Sequence, residues 1–122
     1  MAGFVLVTGA SRGIGRACAE RLAADGYGIV TMDLAAPEKL LAGEVFIPVD
    51  LSSETATAGA LAEATRGRAI TRLVNNVGTV RPGSVEEATS ADLAAVVSLN
   101  LRCSIQCVQA LLRPGQMIGF FA

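Results

Sequence analysis

The stretch Thr8-Gly9-Ala10-Ser11-Arg12-Gly13-Ile14-Gly15 decides the fold. It follows the apolar run Phe4-Val5-Leu6-Val7 and opens a helix-patterned segment that contains Ala17, Cys18 and Leu22. Strand, glycine-rich turn and helix in that order make a phosphate cradle: the glycines let the backbone bend and approach a diphosphate, and the first helical N–H groups point at the anion. Ser11 sets a hydroxyl beside the helix start, where it can cap the helix or bond phosphate. Asp33 ends the next expected strand eighteen residues beyond Gly15, about where a ribose-binding carboxylate belongs.

Outward from that turn, the chain alternates strand and helix patterns. Residues Phe4 to Thr8 are apolar up to the threonine, as in a central strand covered on both faces. A helix is expected from Gly13 to about Asp25, with Ile14, Ala17, Cys18 and Leu22 as its apolar stripe and Arg16 paired with Glu20 on the wet side. Gly28 to Met32 reads as a second strand, residues 35–43 as a loop or short helix, and Val45 to Val49 as a third strand whose Pro48 puts it at a sheet edge. Ser52 or Ser53 can cap a helix reaching about Thr65, and Ile70 to Val74 is a fourth strand that runs into Asn75-Asn76-Val77-Gly78 and a loop from Thr79 to Gly83. This alternation predicts a parallel α/β sheet.

Thr89-Ser90-Ala91-Asp92 is a capping-box pattern that starts a long helix ending near Arg113, before Pro114-Gly115. The expected stripe is Leu93, Val96, Val97, Asn100, Leu101, Ser104, Val108 and Leu111, which makes Asn100 a buried amide in need of partners, since an unsatisfied one costs roughly 1–3 kcal/mol. Residues Met117 to Ala122 would be a fifth strand.

With 122 residues the chain is one domain at most, and short for a two-halved dinucleotide fold. Apolar residues reach 52% and charged residues only 17%, against roughly 25% in an average soluble domain, which implies surface meant to be covered. A net charge of −1 with dispersed basic residues gives a nucleic-acid or anionic-membrane partner no electrostatic support, and neither is expected. No unbroken apolar run approaches the ~18 residues of a membrane span, and the start lacks a signal-peptide pattern, so a cytoplasmic location is expected. Cys18, Cys103 and Cys107 fit reduced, core-filling thiols; without a histidine, Cys103 and Cys107 are half a zinc site, and no metal is expected.

Four motifs in order resemble the short-chain dehydrogenase/reductase family up to about Leu112: Thr8 to Gly15 as T-G-x-x-x-G-x-G, the Asp50-Leu51 pair, Asn75-Asn76-Val77-Gly78 as N-N-A-G with valine for alanine, and Asn100 in the long helix. The resemblance implies an incomplete Rossmann-type parallel sheet of four to five strands with helices on both faces. It implies that Gly9, Ser11, Arg12 and Ile14 contact the phosphates and ribose of a nicotinamide dinucleotide, with Gly13 and Gly15 shaping the turn. Asp50 and Leu51 would hold the adenine, Asn76, Val77 and Gly78 would line its ribose, and Asn100 would join the proton relay. Read from the residues alone, Asp50 is equally a strand-end cap. Asp33 favours NAD, because a carboxylate accepts ribose hydroxyls and repels the phosphate of NADP; Arg12, just before Gly13, argues the other way and is outweighed.

The family's reaction uses a serine, a tyrosine and a lysine, the last two as Y-x-x-x-K after the fifth strand. Here the one tyrosine is Tyr27 and the one lysine is Lys39, neither in that motif. A phenol acting as general acid needs a cation nearby to lower its pKa. The chain therefore reads as the cofactor-binding half of an oxidoreductase without its catalytic residues, whether through truncation, an altered reading frame near Arg113 or design, and is expected to be inactive alone. The alternatives are a non-catalytic NAD-binding or assembly module that needs a partner chain, and a fragment that folds without cofactor. The apolar helix 91–113, with Cys103 and Ile105 on its outer face, is expected to mediate homo-oligomerisation.

Overall fold

The computed structural model describes residues 3–79, 83–112 and 119–121. Strands β1 (Phe4–Thr8), β2 (Gly28–Asp33), β3 (Val45–Pro48), β4 (Ile70–Val74) and β5 (Gly119–Phe121) form one parallel sheet in the order β3-β2-β1-β4-β5. β1 lies at the centre because it can be covered on both faces: Val5, Leu6 and Val7 are fully buried. β3 is an edge strand, and Pro48, which has no N–H to give to a ladder, stands at its end. The fifth strand is the Gly119–Phe121 part of the expected 117–122 segment; the rest of that segment, Arg113 to Gly115, and most of the loop after Thr79 lie outside the described residues.

Helix α1 (Gly13–Ala24) covers one face of the sheet, and α2 (Glu54–Thr65) and α4 (Cys103–Leu111) cover the other. α3 (Ser90–Val97) continues into α4 through a π-helical turn, Ser98–Arg102. Two helix starts obey their sequence signals. The Ser53 hydroxyl accepts from Ala56 N at 3.2 Å; Thr89 and Asp92 form both bonds of a capping box, at 3.0 and 3.3 Å. Residues 35–43 form a loop without a helix.

Two cores result. On the α2/α4 face, Leu6, Val30, Met32 and Leu73 pack against Leu61, Ala64, Cys103, Cys107 and Leu111. On the α1 face, Val5, Val7, Ile29 and Val74 meet Ala10 and Ala19, with Leu22 and Ala23 at the edge.

The helices are rotated relative to the stripes expected from spacing. In α1 the buried residues are Gly15 and Ala19, and Ile14 is 77% exposed. The reason is Gly15: without a side chain there, α1 drops onto the end of β1 and turns its neighbour Ile14 outward. In α4 the buried line is Cys103, Cys107 and Leu111, while Leu93, Val97, Leu101 and Ile105 are exposed. Cys103 therefore belongs to the core and not to the outer face. The neighbouring Cys103 thiol and burial together push the Cys107 thiol up.

By length and composition Ser90–Leu111, 22 residues at a mean hydropathy of 1.2, could cross a membrane. A count of unbroken apolar runs misses it because single polar residues interrupt the segment. Three of its polar residues reach other parts of the fold: Ser98 Oγ donates to Ser52 O at 3.0 Å, Arg102 to Leu51 O at 2.6 Å, and Gln106 to Glu54 O at 3.0 Å.

Arg16 does not pair with Glu20. Its guanidinium meets the Glu44 carboxylate in two parallel bonds, 2.9 and 2.7 Å, with the Glu44 side chain wholly buried. Glu44 also accepts from the Thr31 hydroxyl at 2.6 Å and from Leu41 N at 2.9 Å. A partner sequestered from water outcompetes an exposed i,i+4 neighbour, whose pairing is worth only about 0.3–0.5 kcal/mol. Burial alone would push the Glu44 carboxyl up, but the bonds from Arg16, Thr31 and Leu41 and the Arg16 charge overcome it and hold the group below its ordinary range.

Glu44 therefore protonates at lower pH folded than unfolded. Its contribution is present above the ordinary carboxylate value of 4.5 and disappears as the pH falls through the lower folded value. Thermal unfolding followed downward from neutral pH should find Glu44→Gln less stable by about 1.5–3 kcal/mol, with the gap to the unaltered chain closing below that carboxylate value. A gap independent of pH would contradict the assignment.

Candidate functional site

The carboxyl ends of β1, β2, β3 and β4 open on a cleft of ≈ 790 Å³. It lies where the sheet order reverses around β1, the place where open parallel sheets receive ligands. Its walls include Ser11 and Arg12 from the glycine turn, Asp33 from the end of β2, Asp50 and Leu51 after β3, and Val77 and Gly78 after β4. Seven of the thirteen residues singled out in the sequence thus share one cavity.

The other six stand behind or beside it. Gly9 takes a φ of +67°, a left-handed conformation that favours glycine. Gly15 is needed for space: a Cβ there would come within 2.3 Å of the Gly9 carbonyl oxygen and 2.5 Å of Asn76 Nδ2. Asn76 lies under the turn and donates through Nδ2 to the Gly9 carbonyl at 3.0 Å. Gly13 starts α1, and Ile14 projects from the first turn without lining the cleft.

The start of α1 carries no side-chain cap and no acidic residue in its first turn. Ser11, a candidate cap in the sequence, does not cap α1: its hydroxyl donates to the Ala35 carbonyl, because the turn swings it toward the loop after β2. The first N–H groups of α1 are left facing the turn, the arrangement that attracts an anion. Asp33 is anchored from both sides, accepting from Ser11 N at 3.0 Å and from Leu34 N at 2.7 Å.

Asp50 is exposed and closes an Asx turn. Ser52 donates to it from the hydroxyl at 2.6 Å and from the backbone at 3.0 Å, which holds the carboxyl below its ordinary range. Asp50 is thus the strand-end cap that the residues alone allowed, and it also lines the cleft. Leu51 is 3% exposed; it belongs to the core and shows the cleft only an edge.

Asn100 is not a buried amide on an apolar face. It sits in the π turn, is exposed, and clamps the Thr79 backbone, accepting from its N–H at 2.7 Å and donating to its carbonyl at 2.8 Å. The small thiols of Cys103 and Cys107 draw the neighbouring helix face inward and leave Asn100 on the side of the strand β4 loop. It borders a separate hollow of ≈ 450 Å³ next to the cleft, shared with Thr79, Glu87 and Asp92.

Thr8 carries more than sequence reasoning gave it. Fully buried at the end of β1, its hydroxyl accepts from Asn76 N at 3.2 Å and Val77 N at 3.1 Å and donates to Val74 O at 3.5 Å, joining the two turns that form the cleft. The signal was available: one polar residue closing an otherwise apolar central strand. Arg16, Glu44 and Arg102, which hold the cleft from behind, have partners too distant in sequence to be read.

A short chain dehydrogenase family model matches residues 3–119. The chain belongs to the short-chain dehydrogenase family. Among its relatives, L-2,3-butanediol dehydrogenase of Corynebacterium glutamicum is 30% identical over 131 aligned positions, covering 98% of this chain and 51% of that protein. A short chain dehydrogenase family protein of Francisella tularensis superposes with a TM-score of 0.85 at 25% identity, covering 98% of this chain and 50% of that one. A short chain dehydrogenase from Burkholderia cenocepacia, solved in complex with NADP, gives a TM-score of 0.79 at 33% identity over 88% of this chain and 48% of its own. The chain spans about half the length of the relatives it matches. The parallel sheet and its glycine turn are the Rossmann-type, nicotinamide dinucleotide-binding portion of the family fold.

Two substitutions test how the cleft is held. Gly15→Ala should cost about 3 kcal/mol in urea unfolding, at the upper end for overpacking, since backbone must move. Thr8→Val should cost about 1–3 kcal/mol by stranding two N–H donors. Unchanged midpoints would show that the two turns are not held by these contacts.

Proposed function

We propose that the chain is the cofactor-binding portion of a carbonyl/alcohol oxidoreductase and that its cleft takes NAD in preference to NADP. The observation that carries this is Asp33. An ionised carboxylate offers about four acceptor positions; Ser11 N and Leu34 N occupy two of Asp33's. The remaining two match the two hydroxyls of an adenine ribose. A phosphate in place of one hydroxyl would bring a charge of about −2 against Asp33, with Glu38 and Asp50 on the same walls. Arg12 is the cation that lines this cleft and would favour that phosphate. The Burkholderia relative holds NADP. Three carboxylates against one guanidinium weigh toward NAD.

The residues fit the group. The α1 N-terminus would hold the diphosphate, Asp33 the ribose, and Asp50 and Leu51 the adenine, with Val77 and Gly78 along its ribose. The nicotinamide of the bound dinucleotide would supply or accept the hydride. Asn100, in the π turn beside the cleft, would fix the Thr79 backbone at that end and carry the family's proton-relay role.

No phenol–ammonium pair in the chain stands near the cleft. Tyr27 precedes β2 at the edge opposite Asp33, roughly 20 Å away at ~3.3 Å per residue. Lys39 is exposed in the loop before β3. With neither residue at the cleft, this chain would by itself bind dinucleotide without reducing a carbonyl. The exposed line Leu93, Val97, Leu101 and Ile105 supports self-association through α3 and α4.

Calorimetric titration with NAD and NADP tests the central claim. NAD should bind at least about tenfold more tightly, a difference of about 1.4 kcal/mol, and Asp33→Ala should narrow the ratio. Equal or tighter NADP binding would overturn the preference, and no binding to either would overturn the cofactor reading. In size-exclusion chromatography the chain should elute as an oligomer that Leu101→Glu dissociates; a monomeric unaltered chain at tens of micromolar would remove the self-association proposal.

A further inference from the structure

The Ala10–Ser11 peptide, in the middle of the glycine turn, is gripped at both ends. Its carbonyl oxygen accepts from Arg16 Nε at 2.7 Å. Its N–H donates to Asp33 Oδ2 at 3.0 Å. In a trans peptide these two groups point in opposite directions from one rigid plane. Fixing both leaves the plane no freedom to rotate. The orientation of the turn and the seat of the Asp33 carboxylate are thereby set together.

Arg16 can grip the carbonyl because it is itself immobilised. Its two terminal nitrogens are taken by the two oxygens of Glu44, leaving Nε in the same plane for Ala10. Glu44 is fixed in turn by Thr31 of β2 and by the Leu41 N–H of the loop before β3. The chain of contacts runs from the edge of the sheet to the middle of the turn. Arg16 and Glu44 neutralise each other, so the assembly offers the cleft no net charge. What it supplies is geometry.

We infer that Arg16, locked by Glu44, is a positioning residue that orients the Ala10–Ser11 peptide, and through it the diphosphate turn and Asp33. This rests on the dinucleotide reading above. A lysine at position 16 keeps the charge, yet one ammonium lacks the planar fork needed to satisfy the Ala10 carbonyl and both Glu44 oxygens in this geometry.

The test uses ADP-ribose, which carries the diphosphate and both riboses without the nicotinamide, titrated into the folded chain well below its unfolding temperature. Arg16→Lys and Glu44→Gln should each weaken ADP-ribose binding by about tenfold, the loss expected for one charge-assisted hydrogen bond. Glu44→Gln fixes the sign of the effect. It frees the Arg16 cation, so tighter binding would mean that charge and not geometry is at work, and would overturn the inference. Lowered thermal stability with unchanged affinity in both variants would reduce the pair to a structural role and overturn it as well. Should the unaltered chain fail to bind ADP-ribose, the dinucleotide reading falls. The inference is then judged by amide hydrogen exchange: faster exchange confined to residues 9–15 in Arg16→Lys supports it, and unchanged exchange there refutes it. If Arg16→Lys does not fold, Glu44→Gln carries both measurements.

Discussion

Helix α1 rests so close to the turn before it that a single carbon atom on Gly15 would collide with the Gly9 carbonyl oxygen. That contact sets the height of the helix above the sheet. It rotates Ile14 out and Ala19 in, brings Arg16 within reach of the Ala10 carbonyl, and leaves the first N–H groups of α1 at the mouth of the cleft. A larger residue at position 15 would lift all of these at once, because close-packed interiors transmit a displacement and do not absorb it.

The two faces of the sheet are held by different means. The α2/α4 face is a conventional apolar core, in which each fully buried large side chain such as Leu6 or Leu73 contributes about 1.5–3 kcal/mol. The α1 face is thinner, with one helix of mostly small residues, and it carries the Arg16–Glu44 pair and the Thr31 hydroxyl beneath its edge. A buried ion pair is weak as a source of stability, since desolvation offsets much of the attraction. It is strong as a source of direction. The geometry of the turn is therefore specified on the face with less apolar cohesion, by groups that tolerate only one arrangement.

Much of this was legible from the sequence because the signals are local. The central position of β1 follows from four consecutive apolar residues, the edge position of β3 from Pro48, and the starts of α2 and α3 from Ser53 and from Thr89 with Asp92. The glycine turn, Asp33, Asp50 and the Asn76-Val77-Gly78 segment were found at the ends of the strands where the cleft opens. Helix rotation was not legible. Spacing shows that Ile14 or Asn100 shares a stripe with apolar neighbours, but which stripe faces inward depends on where a missing side chain or a small thiol permits close approach. Glu44 was invisible for another reason: it lies 28 positions from Arg16, and nothing local distinguishes a carboxylate that will be buried from one that will not.

The π turn at Ser98–Arg102 has a consequence for the outer surface of the long helix. Residues spaced by four on an ordinary α-helix advance about 40° per step beyond a full turn, since 3.6 residues complete the circle. Leu93, Val97, Leu101 and Ile105 would then wind around the axis as a spiral. A wider turn in the middle, with more residues per revolution, subtracts from that advance. The four side chains are thereby drawn toward a straight ridge parallel to the axis, a phase correction that an uninterrupted α-helix cannot make, and one that suits a second helix lying alongside at a shallow crossing angle.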